Sequence, residues 1–180
     1  MMEIKKVAVF GAGVMGAGIA AQIANAGVPV VLLDIAAEDG ANRSAIAEEA
    51  LGKLLKTNPA PLMHKLGARL ITTGNIDDDM GLIADCDWIV EAIVEDFELK
   101  AEVFAELDRV VTSPEAILAT NTSSIPIIDI AMRTGRPEQV VGLHFFNPAP
   151  VMKLVEVIPS VRTSPAVIDR ITGFATDVIG

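Results

Sequence analysis

The sequence predicts an α/β domain on a doubly wound, mostly parallel β-sheet, and three observations predict it. Short apolar, β-branched runs alternate with segments of helical period along the 180 residues. The early runs, such as Val28-Pro-Val-Val-Leu-Leu-Asp34, are apolar in succession rather than at alternate positions, as strands covered on both faces are. The chain is 51% hydrophobic but only 4% aromatic, so its core is built from Ala, Val, Ile and Leu. The length suits one domain, residues 1–180, with a substantial core.

In chain order, the predicted strands are Lys6–Phe10, Val28–Asp34, Arg69–Thr73, Trp88–Ala92, Ile117–Thr120, Val140–Phe145 and Lys153–Ile158. The predicted helices are Met15–Ala26, Ala37–Lys56, Phe97–Val111, Ile125–Met132 and Pro165–Val178. Pro29 sits near the start of its strand, where a missing N–H is tolerated. Asn58-Pro-Ala-Pro61 breaks the second helix. Ser164 and Pro165 form an N-cap and first turn, and Gly180 stands at a natural C-cap position. Trp88 is expected in the core and His64 in solvent. Asp77, Asp78 and Asp79 read as caps for a short helix over 80–84 rather than as a metal site, and no metal is expected.

Charge narrows the partners. The net charge is −10 and no basic stripe is present, so nucleic acid and anionic membrane are poor partners. An anionic cofactor must then be held by local backbone N–H groups and a few placed cations. Cys86 is the only cysteine, which precludes an internal disulfide and suits a reducing cytoplasm. Lys5 and Lys6 followed by an apolar run have the outline of a signal peptide. Three glycines between 11 and 16, and Gln22 within the run, argue for strand, turn and helix instead, and no targeting segment is expected.

The strongest local signal is Val7-Ala-Val-Phe-Gly11-Ala-Gly13-Val14-Met15-Gly16. Gly11 permits a tight turn, Gly13 lets backbone approach a pyrophosphate, and Gly16 lets the helix pack closely on the sheet. The helix start offers unpaired N–H groups to the phosphates. A second strand ends in Asp34, whose carboxylate can take both adenosine ribose hydroxyls and would repel a 2′-phosphate. Together these give a Rossmann-type NAD site with contacts at Gly11, Gly13, Val14, Met15, Gly16 and Asp34, and NAD is favoured over NADP. A glycine-rich turn with a capping Asp is the bland alternative.

The run Gly142-Leu-His144-Phe-Phe-Asn147-Pro-Ala-Pro-Val-Met-Lys-Leu-Val-Glu156-Val, with Asn121-Thr-Ser123-Ser124-Ile125 upstream, resembles the L-3-hydroxyacyl-CoA dehydrogenase family. The first strand and the Glu91-Ala-Ile-Val-Glu95 segment agree, and the resemblance spans essentially the whole chain. It implies hydride transfer between L-3-hydroxyacyl-CoA and NAD⁺ in fatty-acid β-oxidation. Oxidising a secondary alcohol needs a base, and an imidazole titrates near neutral pH. His144 fits that role, and Glu156, twelve residues on, can fix its tautomer. The resemblance implies that these two are the catalytic dyad and that Ser123 and Asn147 orient the reacting oxygen or the nicotinamide. It also places Glu95, Lys100 and Asn121 at the cofactor. Plainer roles exist for each: a structural histidine, a solvated edge carboxylate, turn and cap chemistry for Ser123 and Asn147, and a surface Glu95–Lys100 pair. Lys53, Lys56 and Lys65 lie in a region that approaches CoA in the family, or simply form a solvated face.

Family members continue into a helical domain that closes the acyl cleft and makes the homodimer, and that domain is absent from this sequence. The segment Asn42–Lys65 also resembles bacterial multifunctional β-oxidation proteins that carry an enoyl-CoA hydratase part. The expectation for these 180 residues is NAD binding with weak or absent turnover. A non-catalytic NAD-binding module of the same fold is the alternative. A small-hydroxy-acid dehydrogenase with a catalytic Lys is a third reading, which the His-Phe-Phe-Asn-Pro run argues against.

Overall fold

The computed structural model describes residues 3–38, 41–152 and 154–179. Among the described residues seven strands form one sheet: β1 (Val7–Phe10), β2 (Val30–Asp34), β3 (Ile71–Asn75), β4 (Trp88–Glu91), β5 (Ile117–Thr120), β6 (Val140–Phe145) and β7 (Val155–Pro159). Their order is β3-β2-β1-β4-β5-β6-β7, and every pairing is parallel except β6 with β7. This is the predicted Rossmann-type, doubly wound sheet. The order reverses between β1 and β4, and ligands of such sheets bind outside the strand C-termini at that point.

Continuous apolar runs arise because side chains of one strand enter two different cores. Val7 and Val9 pack on one face with Val30, Leu32, Trp88 and Val90. Ala8 and Phe10 pack on the other with Val31, Leu33, Ile89 and Leu118. Helices α1 (Val14–Asn25), α2 (Ala45–Leu54) and α5 (Pro165–Asp177) cover the first face, while α3 (Phe97–Val110) and α4 (Ile127–Ala131) cover the second. Trp88 is fully buried, edge-on to Phe174 with ring centroids 5.5 Å apart. Among the described residues no helix is long and apolar enough to cross a membrane.

Four local expectations need correction. Helix α2 starts at Ala45, not Ala37, because Asn42 accepts a hydrogen bond from the Ser44 N–H and so turns the backbone before the helix begins. Residues Lys65–Leu70 form a 3₁₀ helix, so β3 starts at Ile71, where pairing with Val30 sets its register, and runs to Asn75. The short segment after the aspartates is a 3₁₀ turn, Met80–Ile83, and Asp79 does not cap it through its side chain. The Asp79 carboxylate accepts from the Asn75 N–H, and Asp77 and Asp78 pair with Arg43. The Ser164 cap of α5 is present, accepting from the Val167 N–H. Lys153, the expected start of β7, and Gly180, the expected C-cap, lie outside the described residues.

Candidate active site

Gly11, Asp34, Glu91, Asn121 and His144 lie at or just beyond the C-terminal ends of β1, β2, β4, β5 and β6. Parallel pairing brings all five to one edge of the sheet. Gly11 follows β1 with φ +95°, and a Cβ there would lie 2.7 Å from the Ala92 carbonyl oxygen. A Cβ on Gly16 would lie 1.7 Å from the Gly11 carbonyl oxygen, so α1 can sit on the loop only with glycine at 16. A Cβ on Gly13 would meet nothing within 4 Å. The loop is thus closed behind Gly16 and open in front of Gly13, as a backbone cradle for a pyrophosphate requires.

Asp34 ends β2, and its carboxylate accepts from the N–H groups of Ala12 and Ile35. A cleft of about 670 Å³ opens beside it, lined by Gly11, Gly13, Val14, Met15 and Asp34 on one side and Ile93, Val94 and Val103 on another. Its walls are largely apolar with two carboxylates, Asp34 and Glu102, and Asp34 at the end of β2 suits an adenosine held by its ribose. Gly11, Gly13, Val14, Met15 and Asp34 therefore share one cavity, while Gly16 stands behind it.

His144 and Glu156 face one another across the β6–β7 pairing. The Nδ1 of His144 lies 2.9 Å from Oε2 of Glu156. The imidazole is about four-fifths buried and the carboxylate half exposed. Phe146 packs against the imidazole with ring centroids 4.8 Å apart. The antiparallel return of β7 makes residues twelve apart direct neighbours.

Asn121 accepts a hydrogen bond from the Phe145 N–H at 2.8 Å, tying the end of β5 to the residue after His144. Glu95 accepts from the Thr122 hydroxyl, the Ser123 and Ser124 N–H groups and the Ser124 hydroxyl. Burial alone would raise the Glu95 carboxyl, but the hydroxyls of Thr122 and Ser124 and the nearby Lys100 ammonium bring it from 4.5 down to about 2. Ser123 and Asn147 are exposed. Asn147 borders a second cavity of about 600 Å³ between α1, α2 and residues 147–150, which Lys53 also lines. Lys56 and Lys65 are exposed and do not line it.

The surface alternative for the Glu95–Lys100 pair holds for Glu95, which is exposed, and fails for Lys100. Lys100 is 1% exposed, and its ammonium lies 2.6 Å from Glu91 and 3.5 Å from Glu95. Sequence reasoning missed Glu91 and Thr122 as parts of this edge. The available signal was a charged residue closing the apolar strand Trp88-Ile-Val-Glu91.

Residues 6–180 match the model of the 3-hydroxyacyl-CoA dehydrogenase NAD-binding domain. The chain belongs to the 3-hydroxyacyl-CoA dehydrogenase family. It is 44% identical over 184 residues to a Deinococcus radiodurans protein named "Probable 3-hydroxyacyl-CoA dehydrogenase", covering 99% of this chain and 52% of that protein. It is 43% identical over 180 residues to 3-hydroxybutyryl-CoA dehydrogenase of Mycobacterium tuberculosis, covering 98% of this chain and 61% of that one. The crystal structure of M. tuberculosis FadB2 superposes with a TM-score of 0.84 at 40% identity, covering 99% of this chain and 62% of that chain. The chain thus spans about half to three-fifths of the length of these dehydrogenases, and what it contains is their NAD-binding part.

Proposed function

We propose that the chain supplies the cofactor site and the proton-transfer dyad for interconversion of L-3-hydroxyacyl-CoA and 3-ketoacyl-CoA. The observation that carries this reading is the His144–Glu156 pair at 2.9 Å on the edge of the sheet where the Gly11–Gly16 loop opens. Bound NAD⁺ supplies the hydride acceptor. Gly13 would leave room for its pyrophosphate, and Asp34, which accepts from the Ala12 and Ile35 N–H groups, has lone pairs left that would accept from the ribose hydroxyls. Glu156 accepts from Nδ1–H of His144, which leaves the Nε2 lone pair to receive the substrate hydroxyl proton. As that proton arrives, the Glu156 carboxylate stabilises the imidazolium. Phe146 helps hold the imidazole in place through a tilted ring contact.

Asn121 and Glu95 act on the same edge through the backbone. By holding the Phe145 N–H, Asn121 fixes the segment that carries His144, while Glu95 shapes the turn that presents Ser123. The cavity bordered by Asn147 and Lys53 is the candidate path for the CoA thioester. Both clefts are open to solvent, so positioning and water exclusion are incomplete and turnover by these 180 residues is slow. The test is NADH consumption with acetoacetyl-CoA. Oxidation of NADH that requires the thioester supports the reading. NADH oxidation that proceeds without the thioester, or at the same rate in His144→Ala, overturns it.

A further inference from the structure

Glu91 is the most enclosed carboxylate of the sheet edge, and no step of the proposed chemistry uses it. It is 0% exposed and closes β4 beside the switch point, opposite Phe10 in the β1–β4 register. Its two oxygens have three donors. Oε1 accepts from the Lys100 ammonium at 2.6 Å and from the Ile93 N–H at 2.7 Å, and Oε2 accepts from the Thr120 hydroxyl at 2.7 Å. Lys100 reaches further, to the Ile93 carbonyl at 3.4 Å and to Glu95 at 3.5 Å. Glu95 in turn holds Thr122, Ser123 and Ser124. One buried charge therefore stands at the root of a chain of contacts linking the loop after β4 to the loop after β5.

Taking an ammonium and a carboxylate wholly out of water is costly, and well-packed apolar residues often serve stability as well. A buried pair at such a place can serve the geometry of the loops it joins. The adenosine half of a doubly wound sheet lies over β1–β3 and the nicotinamide half over β4–β6. The Glu91 contacts all lie on the nicotinamide half.

We propose that Glu91 is a positioning residue for the nicotinamide end of the cofactor, acting through Lys100 and Glu95 on the loops over residues 92–95 and 121–124. The proposal rests on the NAD-binding reading above. Its prediction is asymmetric. A cofactor fragment lacking nicotinamide does not depend on Glu91, whereas the whole dinucleotide does.

The experiment compares NADH and ADP-ribose affinities by fluorescence and calorimetry for the wild-type chain, Glu91→Gln, and the double variant Glu91→Gln/Lys100→Met. The double variant removes both buried charges, so it keeps the test valid where Glu91→Gln alone strands an ammonium and fails to fold. Folding of each variant is checked by thermal unfolding. The expected result is NADH affinity at least about tenfold weaker, a loss of about 1.4 kcal/mol, with ADP-ribose affinity within about twofold of wild type. A folded double variant that binds NADH as the wild type does overturns the proposal. Equal weakening of NADH and ADP-ribose also overturns it, because a general structural role moves both. If the wild-type chain binds ADP-ribose but gains nothing from the nicotinamide half, the proposal falls while the adenosine part of the cofactor reading stands. If it binds neither, the cofactor reading itself falls, and this proposal with it.

Discussion

Alanine placed at two glycines of the same loop should have opposite consequences. At Gly16 the new methyl carbon would sit 1.7 Å from the Gly11 carbonyl oxygen. Reaching even 3.0 Å requires an opening of about 1.3 Å between the loop and α1. The obstacle is backbone, so no side-chain rotation relieves it. Moving α1 would disturb its buried face of Ala17, Ala20, Ala21 and Ala24 and the Gly11 N–H to Leu33 carbonyl bond at 2.8 Å. Overpacking of this kind costs about 3 kcal/mol, and alanine's better helix propensity returns about 1 kcal/mol. The net loss of about 2 kcal/mol lowers Tm by about 4–8 °C in a domain of this size. At Gly13, φ is −65° and a Cβ meets nothing within 4 Å, so alanine fits and stability changes by less than about 0.5 kcal/mol. That methyl instead fills the space the pyrophosphate needs. Losing a hydrogen bond to a charged group, about 1.5–3 kcal/mol, weakens NADH binding about ten- to hundredfold. Thermal unfolding and NADH titration of Gly16→Ala and Gly13→Ala read out both effects. The reasoning is refuted if Gly16→Ala keeps the wild-type Tm, or if Gly13→Ala binds NADH normally.

Two further outcomes follow from groups displaced from their ordinary titration range. Glu95 is held down to about 2, below its ordinary 4.5, so its contribution to stability is complete above the ordinary range and disappears as pH falls toward 2. The Tm difference between wild type and Glu95→Gln should be constant above about pH 5 and shrink to nil near pH 2. A difference unchanged down to pH 2 contradicts the assignment. Burial pushes the Cys86 thiol up to about 12, so a disulfide reagent at pH 8 should leave the folded chain unmodified and titrate one thiol after unfolding in guanidinium. Rapid labelling of the folded chain would show that Cys86 is accessible.

Much of the fold was legible because each strand carries its own burial pattern. Val7-Ala-Val-Phe10 is apolar throughout since its alternate side chains enter two cores. The ends of α2 and β3 were less legible because they depend on partners distant in sequence or on polar side chains competing for the backbone. Asn42 delays α2 through one hydrogen bond, and β3 takes its register from Val30. Of the site, the loop was readable from glycine spacing and the His144–Glu156 pair from the family resemblance, while the antiparallel return that makes residues twelve apart neighbours appears only in the fold. The surface alternative for Lys100 stood open because an exposed helix start and a buried one look alike in sequence. Only the pairing of β4 with β5 shows that Glu91 and Thr120 enclose one another. The resemblance places Asn121 at the cofactor, but its bond to the Phe145 N–H, which joins segments 24 residues apart, is visible only in the fold.

The dyad is tested most directly by single-turnover oxidation of NADH with acetoacetyl-CoA, the chain in excess, comparing wild type with His144→Ala and measuring NADH affinity on both. The account predicts slow oxidation by the wild type, none by His144→Ala, and the same NADH affinity in each. Equal oxidation rates in the two chains, or loss of NADH binding together with turnover, would contradict it and make His144 a structural residue.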